Sequence, residues 1–358
     1  MKGDNMKRLY ILMGLLSLLS FHIHAQYETC GTVIPDYLLD SLLRDINNQN
    51  SRNIVMERNI NNEDTLFFPI QFHIIRTSSH IGGLDVSNIP IIINNLNEYY
   101  INAKILFYTC GEVDYIDDDS YYYTAYNYHT QRTELENNYN YPNVINMYFF
   151  PSMTSGSYGL AGVSVFPGDT NNSISIANSY ALDTTIPHEM GHYFNLFHTH
   201  ETAIGVEFVT RGQYANCLNA GDLCCDTPAD PNLFDYSIVN SFCQYIGNLR
   251  DPRGELYEPD PTNIMSYNPY ESCLTHFTDE QYSRIRAAAY HPSRYSMAHI
   301  QNIRDLTISG NYTISEGSIN LKNIQLQNAH LVLEYCDEIV IESDFNMDKN
   351  SILQTQEE

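Results

Sequence analysis

The stretch His188-Glu189-Met190-Gly191-His192-Tyr193-Phe194-Asn195-Leu196-Phe197-His198 constrains this chain more than any other. In a helix, residues four apart share one face, so His188 and His192 aim two imidazoles at a single point. Such a point suits Zn2+, which at a catalytic site takes three protein ligands. His198, six residues further on, supplies the third only if the helix stops and the chain turns back. Asn195 is where it must stop, because Asn is the non-glycine residue that most readily accepts the left-handed backbone region. Glu189, beside the metal and not bound to it, is then the expected general base for a water that the metal acidifies. With 13 His in 358 residues, composition alone yields an H-E-x-x-H somewhere with a probability of about two per cent, and adding His198 lowers it below about one in a thousand. The competing explanation, ordinary histidines on an amphipathic helix, does not account for that spacing.

About seventy residues downstream, Asn263-Ile264-Met265-Ser266-Tyr267 offers a methionine-containing turn of the kind that underlies the metal in metzincins. The order of motifs, with Gly221-Asp222-Leu223-Cys224-Cys225-Asp226-Thr227-Pro228 between them and Phe277-Thr278 after them, resembles the pappalysin-like (cytophagalysin) family of metzincins over roughly residues 65 to 292. That family has Gly where this chain has Asn195. The resemblance implies an α+β fold: a metzincin-type catalytic domain, with a mixed sheet and an active-site helix, completed by an irregular C-terminal subdomain held by disulfides and calcium. It further implies a secreted zinc endopeptidase acting on protein or peptide substrates, with Met265 as a packed floor and Tyr267 near the metal as an oxyanion stabiliser. By resemblance, too, Cys217 pairs with Cys243, and Asp222, Asp226 and Thr227 offer hard oxygen ligands for Ca2+. An Asx-turn network without an ion is the competing account of that segment.

Lys2, Lys7 and Arg8 precede an apolar run from Leu9 to Phe21, and Ala25 offers a small residue for cleavage, so residues 1–25 read as a signal peptide. The run is shorter than the roughly 20 apolar residues a transmembrane helix needs. No other stretch is longer, so a soluble, extracellular chain with no transmembrane anchor is expected. Eight cysteines fit an oxidising compartment. A net charge of −25, from 18 Lys+Arg against 43 Asp+Glu, argues against nucleic acid or anionic membranes as partners.

Residues 26–64 are polar and Asn-rich, with a short helical pattern from Ile34 to Ile46, and read as a prosegment. Cys30 within it could ligate zinc in place of the catalytic water, as in the latency of matrix metalloproteases, with cleavage after Arg52 or Arg58 releasing activity; a disulfide from Cys30 is the equal alternative. The catalytic domain is expected at 65–295. Leu66 to Ile75, Ile105 to Tyr108, Val144 to Phe150 and Ser173 to Ala177 have strand character, and Ile89 to Tyr100 helical spacing. Pro69 suggests a bulge or an edge. Residues 115–141, rich in tyrosine, read as a solvated loop with aromatic packing, with the lining of a substrate cleft as the alternative, and Gly156 to Gly168 as a loop or edge strand able to pair with an extended substrate. Thr278 to Gln281 forms a capping box. From Leu306 on, apolar-x-apolar triads at intervals of five to eight residues predict a small all-β repeat module at 300–358, for attachment to a cell surface or for binding. Two further readings compete: an exported adhesion protein carrying a degenerate protease scaffold, against which the intact Glu189 counts, and a thermolysin-like site with a downstream Glu as third ligand, against which His198 and Met265 count.

Overall fold

The apolar run at 66–75 becomes the spine of the sheet, strand β2 (Leu66–Arg76), buried along nearly its whole length, as expected of a strand covered on both faces. The computed structural model describes residues 27–56, 65–156, 158–169, 172–298, 300–341 and 345–357; the expected signal peptide lies outside them. β3 (Ile105–Thr109) and β4 (Asp114–Asp117) lie in succession along one edge of β2, β6 (Ile145–Phe150) along the other, and β9 (Ser173–Ala177) beyond β6, all parallel. β8 (Tyr158–Val163) runs antiparallel to β9, and β7 (Met153–Ser155) antiparallel to β8, with β5 (Tyr126–Asn127) joining β7. The sheet is therefore mixed. Pro69 faces Tyr108 of β3 and precedes the first pairing with β6 at Ile70, so its missing N–H falls where β2 has a neighbour on one side only.

Side chains alternate across β2 and β6, which gives the sheet two cores. One holds Ile74 and Phe149 together with α2 (Ile89–Tyr100), whose Ile92, Leu96 and Tyr100 are buried at spacings of four, and α5 (Thr185–Tyr193). The other holds Ile75 and Phe150 with Tyr121, Tyr126 and Leu135. The tyrosine-rich stretch is thus not a solvated loop. It folds as α3 (Asp119–Tyr123), β5 and α4 (Tyr128–Tyr139), because Tyr121 and Tyr126 carry enough apolar ring surface to cover the second face of the sheet.

Of the segment expected to be a prosegment, the described residues 27–56 form mostly regular structure. β1 (Tyr27–Cys30) adds to β8 in parallel, Cys30 facing Gly162, and α1 (Asp36–Met56) follows, longer than its apolar pattern suggested. Residues 199–262 carry little regular structure beyond a turn at Gly212–Tyr214. Disulfides Cys217–Cys225 and Cys243–Cys273 hold this region, which overturns the expected Cys217–Cys243 pair. The reversal between Cys217 and Cys225 closes on itself, while a short hairpin through Val239 and Tyr245 carries Cys243 to the turn at Glu271–Cys273. Cys110 is disulfide-bonded as well, whereas Cys30 and Cys224 are free and buried. α6 (Asp279–Ala289) opens with the complete Thr278–Gln281 capping box, and α7 (Pro292–Tyr295) follows. At the C-terminal end β10 (Ile300–Ile341) pairs in parallel with β11 (Asn346–Met347) and β12 (Ile352–Glu357), His330 facing Ile352, around a core of alternating residues such as Ile319, Leu321, Leu331 and Leu333. Among the described residues no helix is long and apolar enough to cross a membrane.

Candidate metal centre

Just ahead of α5, the Asp183 carboxylate accepts from the Thr185 amide at 2.8 Å. The helix is buried all round from Ile186 to Tyr193, as a helix driven through the middle of a domain must be. Its end is a Schellman turn: the Leu196 amide donates to Gly191 O at 2.9 Å, the Asn195 amide to His192 O at 2.9 Å, and Asn195 takes φ 69°. The turn also orients a ligand, because Leu196 O accepts from His192 Nδ1 at 2.8 Å. His188 Nδ1 donates in the same way to Ile264 O at 2.7 Å, in the methionine turn. With Nδ1–H committed, each of these rings turns an Nε2 lone pair inwards.

Those lone pairs converge. His192 Nε2 lies 3.2 Å from His188 Nε2 and 3.0 Å from His198 Nε2, and Cys30 Sγ is 3.4 Å from His192 Nε2. All four donor atoms fall within 4.8 Å of one another. Tetrahedral zinc with bonds of about 2.05 Å to nitrogen and about 2.3 Å to sulfur needs N···N of about 3.3 Å and N···S of about 3.6 Å. Burial holds the three histidines below their ordinary range, His188 down to about 4. They are therefore neutral at pH 7, with the Nε2 lone pairs of His188 and His192 facing each other, and the arrangement fits a cation at their centre.

Glu189 sits beside the cluster, fully buried, and burial pushes its carboxyl up to about 7. Its Oε2 accepts from Thr32 Oγ1 at 2.8 Å, while Oε1 has no hydrogen-bond partner among the described residues. Gly162 makes room for it: a Cβ there would fall 2.7 Å from Glu189 Cγ. Tyr267 donates from its hydroxyl to Cys30 O at 3.0 Å, and its ring is flanked by His198 at 4.6 Å and His200 at 4.5 Å. Met265, with no exposed surface, lies under the helix against Gly191.

The methionine turn is fastened to the histidine segment through residues that motif reasoning missed. Asp230 Oδ2 accepts from Thr199 at 2.6 Å and from Ser266 at 3.0 Å, joining the His198 loop to the methionine turn. His200, stacked on His198 at 5.0 Å, faces a cleft of about 560 Å³ shared with Tyr158, Asn232 and Phe234. On the Glu189 side a second pocket is walled by Leu274 and Glu271, the latter pushed up to about 8 by burial and by its hydrogen bond with Asp183. None of these carries a local sequence signature; only the fold brings them to the histidine cluster.

The three residues expected to bind calcium separate. Asp222 Oδ1 accepts from Thr227 Oγ1 and from the Cys224 amide, both at 2.9 Å, and its Oδ2 is buried without a partner. Asp226 instead caps α6, accepting from Thr278 Oγ1 and the Glu280 amide, because its exposed carboxylate reaches the positive end of that helix. A second buried carboxylate, Glu207, abuts Gly221 and feels the charge of Asp222. Glu207 Oε1 lies 2.9 Å from the Arg211 guanidinium in an ion-pair contact that lacks hydrogen-bond geometry. Burial first, then the charge of Asp222, push Glu207 up to about 8, and burial pushes Asp222 to about 7. Two buried carboxylates, with an Asp222 oxygen left without a hydrogen-bond partner, are hard oxygen donors of the type a divalent cation takes.

No family model matches the chain. Among curated proteins it is similar to an extracellular metalloprotease of Arthroderma gypseum, 28% identical over 155 residues, which is 40% of this chain and 46% of that protein. Two extracellular metalloproteases of Colletotrichum graminicola are also similar, one 25% identical over 61% of this chain and 74% of its own length, the other 28% identical over 38% and 41%. The match thus spans under half the length of two of these relatives. The similarity supports a metalloprotease assignment for this chain.

Proposed function

We propose that the chain is a metzincin zinc endopeptidase of the pappalysin-like type, described here with its N-terminal segment in the active site. The observation that carries this reading is the convergence of three histidine Nε2 atoms and Cys30 Sγ on one point, with Glu189 beside it. His188, His192 and His198 would hold zinc. When bound, zinc supplies a Lewis acid for the peptide carbonyl and lowers the pKa of water towards about 7. Glu189 takes the proton of the attacking water and passes it to the departing amine, a task suited to a carboxylate whose pKa lies near neutrality. Tyr267 donates to the scissile carbonyl oxygen as negative charge develops there. The β8 edge, now paired with β1, offers its backbone to an extended substrate.

On this reading Cys30 blocks the metal, Thr32 occupies Glu189, and the Cys30 carbonyl takes the hydroxyl of Tyr267, so all three working groups are engaged by one short segment. Residues 1–25 are then an export signal, 26–64 the prosegment, 65–295 the catalytic unit and 300–358 a repeat module for surface attachment or binding, and Glu207, Asp222 and Thr227 hold Ca2+. The names of the relatives agree with export and with protein substrates. The scaffold-adhesin alternative is not favoured. The test is metal analysis with casein digestion, with and without chelator, on the unprocessed chain and on Cys30→Ala. Activity in the mutant before any processing above that of the parent but below that of a chain freed of residues 26–64, and abolished by chelation, is expected. Equal activity in both proteins would remove the latency claim, and absence of bound zinc with no chelator effect would remove the peptidase.

A further inference from the structure

Beyond Cys30, the N-terminal segment makes a second and larger contact. α1 turns Leu38, Leu42 and Ile46, spaced by four, into a groove formed by Phe166, Phe197 and Leu223. Leu42 has no exposed surface and Ile46 keeps 2%. Polar contacts fix the helix at both ends of this stripe: Tyr37 Oη donates to Asp169 Oδ2 at 3.1 Å, and Asp45 lies 3.7 Å from His291 Nε2. The groove is made by parts of the metal centre. Phe197 precedes His198, Phe166 packs edge-on to His192 at 5.5 Å, and Leu223 follows Asp222.

We propose that this groove is a docking surface for an amphipathic helix, that α1 is its occupant, and that α1 holds Cys30 and Thr32 in the active site independently of any Cys30–metal bond. The inference rests on the reading of residues 26–64 as a prosegment. The reason is one of chain geometry. Only five residues separate Cys30 from the start of α1, so a docked helix confines the thiol to the neighbourhood of the histidines at a high effective concentration. A hydrophobic stripe filling a groove supplies that docking without metal. One consequence is that a cut between residues 47 and 64 does not by itself expose the site; α1 must also leave.

The experiment alkylates Cys30 with iodoacetamide in the full chain, zinc-loaded and chelated, and reads modification by peptide mapping. Hydrogen exchange of α5 reports whether the rest of the fold persists. In the chelated protein, Leu42→Asp should speed labelling of Cys30 by about thirtyfold or more, the low end expected for losing a buried leucine contact, while α5 stays protected. Should Leu42→Asp expose α5 as well, Leu42→Ala decides by the same criterion. Cys30 labelling as slow as in the parent, in a folded variant, would overturn the proposal. The zinc reading is tested separately in Leu42→Asp, where α1 no longer confines the thiol: if chelation leaves Cys30 reactivity unchanged in that variant while it stays above the parent's, the metal–thiol bond fails and the helix anchor stands.

Discussion

Replacing Gly191 by alanine tests the seating of the metal helix on the methionine turn. A Cβ at Gly191 would stand 2.5 Å from Met265 Sδ and 3.3 Å from its Cε, well inside contact distance, and 3.5 Å from Leu196 Cδ1, which is ordinary contact. Met265 cannot simply swing away. It is fully buried, and its amide is held at 2.9 Å by Asn263 Oδ1, which is itself bonded to Gln281. Forcing extra volume into such a core costs about 1–3 kcal/mol. Against this stands the helix preference of Ala over Gly, worth about 1 kcal/mol. The net expectation is destabilisation of about 1 kcal/mol, or roughly 2–4 °C in Tm for a unit of this size. The sign should invert when the obstacle is removed: in a Met265→Ala background the same Gly191→Ala change should stabilise, by about the helix term. Urea titrations of the four proteins, made metal-free so that zinc affinity does not enter, provide the cycle. Gly191→Ala that stabilises in both backgrounds would refute the packing argument, because nothing else at this position opposes a Cβ.

Glu189→Ala should retain zinc and fold while losing about 10²–10⁴-fold in turnover, whereas His192→Ala should lose the metal, both read by metal analysis beside an activity assay. Tyr267→Phe should lower kcat by about 10²-fold or more with little change in KM, as expected for a donor to developing oxyanion charge; unchanged kcat would remove that role. For pH, Asp222 and Glu207 have folded pKa values of about 7 and about 8, above their unfolded values. The folded chain therefore holds protons that the unfolded chain has released, and this contribution is lost as pH rises through the folded values. Chelated protein should accordingly lose stability between pH 6.5 and 8, above the range where protonation of the buried histidines opposes folding, and millimolar Ca2+ should restore it at pH 8. Thermal melts measure this; a Tm that rises with pH in the chelated protein, or ignores Ca2+, would count against the site.

What the sequence determined by itself is what depends on spacing along the chain. Residues four apart must share a helix face, so His188 and His192 were legible as a pair, and Asn195 as the left-handed residue that ends the helix. The strand character of Leu66 to Ile75 and the Thr278 capping box were legible for the same reason, since each is a relation between near neighbours. What only the tertiary structure decided is what depends on distant segments meeting. Cys217 pairs with Cys225 and not Cys243 because a hairpin elsewhere carries Cys243 to Cys273. Glu207 comes within reach of the Asp222 charge while Asp226 caps α6, because segments distant along the chain meet there. Asp230 and His200 reach the metal centre through loops whose course no local pattern encodes. The helical pattern from Ile34 to Ile46 was legible in the sequence, but burial is non-directional, so which residues it would bury, and in which groove, was fixed only when Phe166, Phe197 and Leu223 came together in the folded chain to receive Leu38, Leu42 and Ile46.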